Sequence, residues 1–409
     1  MKEIIYLMIG FCLISQIQSQ WTTLDTGFPQ ILTSISAVDD NVVWTCGHLG
    51  KVCRTTNGGA SWDISVVTPD TSTLNNVYGL DQNTAFVSAK DYSPSSSSVW
   101  KTTDGGSSWQ QVFSQPNGEI YSLEVFSNGT GIMIGKPFSG RWSLFKTSNY
   151  GSTWDSAGMF VPGSGGSTEN SLYTRDNEYW FGASGGRLYY SSNSGINWSY
   201  QTLGSTNIIG IWFNGQTGIA TGSGGFRTTN GGISWSPLTI PGTGNQLPIS
   251  GYGTNFWMIT RGSINIYNTT NNGDNWSNYS SVYQYSDIAA SRSGSRIWIA
   301  TLSQYVLKDV VNSVSQISSQ IPRDYELLQN YPNPFNPVTN IEFSIPKSSF
   351  ITLTIYDISG REIEVLVNQN MNAGTYKADW DASKYSSGIY FYRYEAGEYS
   401  ETKKMILVK

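Results

Sequence analysis

The chain has 409 residues, of which only 13% are charged, and its formal net charge is −5. That weakly acidic balance leaves no basic footprint for a nucleic-acid partner. Its 43 glycines and 14% aromatic share argue against long helices and against disorder, and they suit an all-β protein with many tight turns.

Residues 1–19 read as an export signal. Met1-Lys2 opens it, residues 4–14 form an apolar run, and a polar stretch ends at Ser19 or Gln20. The run is too short to span a membrane, and no later segment reaches about 18 apolar residues. Cys12 lies inside this signal behind Phe11, which is too large for a lipidation box. The mature chain then holds Cys46 and Cys53. A hairpin turning at Leu49-Gly50 would set them opposite each other, so a cross-strand disulfide and two ordinary buried thiols are both open readings. His48 is the sole histidine and there is no second cysteine pair, so neither a metal nor a cofactor is expected.

From residue 54 onward one nine-residue pattern recurs. It reads RTTNGGASW at 54–62, KTTDGGSSW at 101–109, KTSNYGSTW at 146–154, YSSNSGINW at 190–198, RTTNGGISW at 227–235 and NTTNNGDNW at 268–276. The skeleton is Ser/Thr-x-Asn/Asp-x-Gly-x-x-Trp. Its fixed residues are Asn57, Gly59, Trp62; Asp104, Gly106, Trp109; Asn149, Gly151, Trp154; Asn193, Gly195, Trp198; Asn230, Gly232, Trp235; and Asn271, Gly273, Trp276. Successive tryptophans are 47, 45, 44, 37 and 41 residues apart, within the range of about 40–45 for one four-stranded propeller blade. An Asn or Asp followed two residues later by Gly is turn chemistry: the short polar side chain bonds nearby backbone N–H groups and Gly supplies positive φ. The Trp is expected to restart a strand and to act as a buried packing wedge.

Each repeat carries β-branched and aromatic runs ahead of this turn, such as 31–38, 42–46 and 51–55 in the first and 208–213, 217–221 and 225–228 in the fifth. A seventh repeat has its first three strands at 286–291, 296–301 and 304–310 and then no turn motif. The text that follows the motif elsewhere stands instead at the start of the mature chain, in Trp21 to Thr26. The expectation is a seven-bladed β-propeller over 20–312, closed by that N-terminal strand, which removes an exposed sheet edge. Residues 313–325 are Ser- and Gln-rich and read as a linker.

The repeated skeleton resembles the Asp-box, or bacterial neuraminidase repeat, of sialidases, some glycanases, sortilins and photosystem II assembly-factor-like propellers. The last group, with a box in nearly every blade and no known catalysis, is the most similar. Sialidase activity would need an arginine cluster, a Tyr nucleophile and an acidic partner, and sialidases carry a Phe/Tyr-Arg-Ile-Pro sequence before their first box. That sequence does not occur here, and no spacing picks out a catalytic set. Glycanases of the xyloglucan-cleaving type use two such propellers, against one here.

Residues 326–409 resemble the type A sorting domain of type IX secretion substrates. The matching text is LQNYPNPFNP at 328–337, TNIEFSIP at 339–346, LTIYDISG at 353–360, AGTY at 373–376, WD at 380–381, SGIY at 387–390 and KKMILVK at 403–409. Alternation in these strands gives a small immunoglobulin-like β-sandwich. The resemblance implies recognition by the type IX translocon and sortase, removal of this domain, and attachment to surface lipopolysaccharide.

For the ring, the boxes read as structural. Candidate ligand residues lie at the opposite end, on the hairpins between second and third strands and the connections between blades: His48, Lys51, Lys90, Tyr92, Lys136, Arg141, Trp142, Arg187, Arg261, Tyr283 and Tyr285. Cations beside aromatics around one mouth would hold an anionic or carbohydrate partner. The function this supports is a secreted or surface-displayed, non-catalytic interaction module for an unknown protein or glycan. The alternative is a surface glycoside hydrolase or glycan-binding protein.

Overall fold

The computed structural model describes residues 21–409 apart from 69–71, 93–94, 157–158, 160, 164–166, 205–206, 223, 243–247, 253–254, 293–295, 310–313, 319 and 383–384. The export signal at 1–19 therefore lies outside the described residues. The chain divides into two compact units, Trp21–Val310 and Val311–Lys409.

The first unit is a ring of seven antiparallel sheets. Blade 1 consists of Leu32–Ala37, Val43–Gly47, Lys51–Thr55 and Asp63–Val66, and later blades repeat this up-and-down order. Burial falls outward along a blade. In blade 1 the first strand is largely covered and the second wholly so, the third covers three of its five residues, and the fourth is mostly exposed. The reason is that a blade packs against a neighbour on both faces, so inner strands such as VWTCG and IWIAT bury side chains whichever way they point.

Among the described residues seven separate apolar clusters result, one at each joint between adjacent blades. Six of them take in one of the repeated tryptophans, always from the later blade of the pair. Trp62 serves the joint of blades 7 and 1, Trp109 that of 1 and 2, Trp154 of 2 and 3, Trp198 of 3 and 4, Trp235 of 4 and 5, and Trp276 of 5 and 6. These indoles are half-buried rather than fully buried, because they sit at the root of the outermost strand. The fully buried tryptophans described in the ring are Trp44, Trp180 and Trp298, on second strands.

Ring closure follows the sequence reading. Trp21–Asp25 pairs antiparallel with Tyr305–Asp309, Trp21 opposite Asp309 and Asp25 opposite Tyr305. This strand is exposed much as the other fourth strands are, and Trp21 packs on the joint of blades 6 and 7. It thus fills the seventh tryptophan position with no turn motif before it. Blade 3 departs from the pattern. Its sheet has three strands, and in place of a fourth only the bridges Lys146 to Asp155 and Arg141 to Pro162 continue it among the described residues.

Cys46 and Cys53 are both free and buried, which removes the disulfide reading. The hairpin loop holds three residues, 48–50, so Cys46 opposes Val52 and Cys53 opposes Thr45. With that one-residue offset the two thiols leave opposite faces of the blade. Cys46 joins the cluster shared with blade 2, Cys53 the one shared with blade 7, and burial pushes each thiol up to about 12.

The second unit is a sandwich of two four-stranded sheets around one core, with Trp380, Phe343, Tyr392 and Tyr394 at its centre. Its boundary corrects the sequence reading. Val314–Ser318, placed in a linker, is an edge strand paired with Gly374–Asp381. An edge strand needs only backbone partners along one side, so a Ser- and Gln-rich text satisfies it and leaves no apolar signature.

Deleting Trp21–Asp25 should cost about 3 kcal/mol or more, since Trp21 and Leu24 leave two joints and a sheet edge opens. Chemical denaturation measures this, and an unchanged midpoint would contradict the closure.

Candidate functional site

The six repeated turns share one hydrogen-bond pattern. The Ser/Thr hydroxyl accepts from the Gly N–H four residues on at 2.8–3.0 Å, as with Thr55 and Gly59. It also donates to the Asn or Asp oxygen two residues on, as Thr55 does to Asn57 at 2.9 Å. That same oxygen accepts the backbone N–H four residues further along at 2.9–3.0 Å. At Asp104 the bonds from Ser108 and Thr102 hold the carboxyl down at about 2. Gly59 has φ of 89°, and a Cβ there would stand 2.4 Å from Leu24 Cδ1 of the closing strand, so the turn requires glycine twice over. These polar atoms are spent within the turn.

Strand direction places the first-to-second-strand hairpins and the repeated turns at one end of the ring, here the turn end. The second-to-third-strand hairpins and the connections between blades lie at the loop end. At the loop end the sequence-nominated residues do not converge. Trp142 and Tyr285 are core residues, 3% and 0% exposed, because each points into the joint beside its blade. Tyr283 packs on that second joint and on Tyr305, with ring centroids 4.9 Å apart. Arg261 donates from Nε to the Ser286 carbonyl at 2.8 Å. Lys51 lies over Phe28 and Arg187 over Tyr200, at 5.8 and 5.4 Å from the ring centroids. His48 is half-buried and Arg141 exposed. The side chain of Tyr92 lies outside the described residues. Arg261 and Tyr285 share a parallel β-bridge, and Lys90 and Lys136 each pair with the buried carboxylate of Glu119, Lys136 at 3.6 Å.

The principal cavity is the central channel, about 1040 Å³, which the innermost strands of all seven blades line. Its wall also includes Asn128, Ser148, Asp176, Ser194 and Arg292, so it opens at the turn end rather than the loop end.

Inter-blade polar bonds line much of the channel. Asp287 of blade 7 accepts from Ser34 Oγ at 2.9 Å and from the Ile35 and Ile288 N–H groups, tying blade 7 to blade 1. Ser36 accepts from the Gly79 N–H at 3.1 Å, and Ser250 from the Ala290 N–H at 2.8 Å. Arg292 reaches from blade 7 to the Gly79 and Leu80 carbonyls of blade 2, with its guanidinium 5.0 Å from the Tyr78 ring centroid. Between blades 4 and 3 the Thr174 hydroxyl donates to Glu124 Oε2. Burial pushes the Glu124 carboxyl up to about 7, against the opposing pull of the Thr174 bond and of Arg292. Sequence reasoning missed this site. Its residues are single polar positions inside apolar strands, and no local spacing marks them.

Residues 329–409 match the family described as a secretion system C-terminal sorting domain. No curated protein matches the chain. Among solved structures, Ycf48 bound to D1 peptide is similar over 72% of this chain and 97% of its own, at 16% identity and a TM-score of 0.54. The WD40 β-propeller domain of Doa1 is similar over 70% and 94%, at 12% identity and a TM-score of 0.54. The extracellular domain of the putative one component system BT4673 from B. thetaiotaomicron is similar over 94% of this chain, which spans 58% of that one, at 8% identity and a TM-score of 0.51. At these identities the likeness establishes the fold alone.

Glu124 gives a pH dependence. Its folded pKa lies above the usual carboxylate value, so the folded chain holds the extra proton and stability falls as pH rises from about 4.5 through about 7. With the half-covered position discounted, the loss is about 2 kcal/mol. Glu124→Gln should flatten that part of the melting-temperature profile, and an unchanged slope in the variant would refute the assignment.

Proposed function

We propose that the protein is exported by a type IX secretion system and acts outside the cell as a non-catalytic binding module. The observation that carries the export half is the sorting domain at 329–409. The resemblance of the repeats to Asp-boxes, the export signal read at 1–19, and surface lipopolysaccharide as the point of attachment belong to the same reading. The binding half is supported by a ring closed on itself around a channel of about 1040 Å³, a rigid frame for a ligand. Ycf48, of similar fold, is bound to a peptide.

One observation favours the glycoside-hydrolase alternative. Glu124 is a carboxyl with a pKa of about 7 on a cavity wall, the condition a general acid needs. Release of a fluorogenic aglycone by the native chain, abolished in Glu124→Gln, would establish that reading in place of the binding one.

For export, a chain ending at Val310 should fold as the ring yet remain in the periplasm of a type IX-competent host. Cell fractionation with surface proteolysis reports this, and surface display of the truncated chain would sink the assignment. For binding, the full chain is expected to give a saturable ligand on a peptide library or a glycan array. Silence on both would count against a binding module.

A further inference from the structure

The two walls of the channel differ in what their polar groups are doing. On the side of blades 7, 1 and 2, Asp287, Ser36 and Arg292 are engaged in the inter-blade bonds described above. On the side of blades 3 to 5, groups remain available. Ser122 lines the cavity, is 7% exposed, and its hydroxyl has no hydrogen bond among the described residues. Glu124 uses Oε2 for Thr174 and leaves Oε1 without a hydrogen bond among the described residues. Asp176, on the first hairpin of blade 4, also lines the cavity and makes no hydrogen bond through its carboxylate among the described residues. Tyr173 and Trp212 supply aromatic surface beside them, edge to face with centroids 5.4 Å apart.

We propose that this wall binds a cationic group, the ammonium of a lysine side chain on a partner peptide or of a free aliphatic diamine. The proposal rests on the ring being a binding module and names its ligand chemistry. An anionic ligand would meet the carboxylates of Glu124 and Asp176, and a neutral one would add nothing to the charge of Arg292, whose guanidinium is already engaged on the Gly79 and Leu80 carbonyls. An ammonium pairs with Glu124 Oε1, gains stabilisation from the ring faces, and donates to the Ser122 hydroxyl. The slender methylene stem of a lysine or diamine suits a channel lined on its other faces by Ile35, Val77 and Ile249.

Binding should then follow the ionisation of Glu124. The groups facing that carboxyl are the Thr174 hydroxyl, Arg292, Tyr78, Tyr173 and Tyr179. Burial raises all three tyrosines, so none of them changes state between pH 5.5 and 8.

Isothermal titration of the full chain tests this with 1,5-diaminopentane and with a blocked Gly-Lys-Gly peptide beside its norleucine counterpart. One site per chain is expected, with affinity about tenfold or more higher at pH 8 than at pH 5.5. Glu124→Gln should lose that pH dependence and most of the affinity, Asp176→Asn should weaken binding with the fold intact, and the norleucine peptide should not bind. Tighter binding of the peptide assigns the site to a partner chain, and tighter binding of the diamine to a free amine. No saturable binding of either amine at pH 8, or binding by a folded Glu124→Gln equal to that of the native chain, overturns the proposal. A ligand recovered from the peptide or glycan screens would then still uphold the binding module itself.

Discussion

Everything in the ring depends on its being closed. A blade is a single sheet with two apolar faces and no second layer of its own, so it buries nothing until a neighbour stands on each side. Seven joints supply that burial. The last blade is completed only because Trp21–Asp25 returns to pair with Tyr305–Asp309. Joining the chain's first strand to its last blade converts a row of half-satisfied sheets into one cooperative body.

The repeated turn contributes to the same end from outside. Its hydroxyl and its Asn or Asp oxygen satisfy the backbone N–H groups of a tight corner, and the corner sets the following Trp at the joint with the preceding blade. The two roles are separable, as blade 7 shows. Trp21 occupies its joint although the sequence before it carries no turn motif. What the architecture needs at each joint is the indole, and the turn is the device that delivers it when the chain runs continuously from third to fourth strand.

Much of this is legible in the sequence because the signal is local. The hydroxyl, the Asn or Asp and the Gly of each turn bond one another within four residues, so their spacing is visible in the chain itself. The missing seventh turn and the orphan Trp21 point to the closure. Where the outcome hangs on register or on strand position, the text is silent. A loop of three residues rather than two sends Cys46 and Cys53 to opposite faces. A half-covered Trp62 reads the same as a buried one. Val314–Ser318 has no apolar alternation, yet it pairs as a strand with Gly374–Asp381.

The channel is illegible for a stronger reason. Each innermost strand offers it a few residues, and their partners lie on other blades: Ser34 meets Asp287 across 253 positions, and Glu124 meets Thr174 across 50. A hydroxyl or carboxyl inside an apolar strand normally counts against that strand, but seven first strands facing a common axis create a place where such groups find each other. The polar residues that weaken each strand's pattern are the ones that bind the blades together at the axis. The same arrangement leaves Glu124 short of water and of a full set of partners. A channel built from inter-blade bonds thus carries, on the wall where those bonds are incomplete, the chemistry for a ligand.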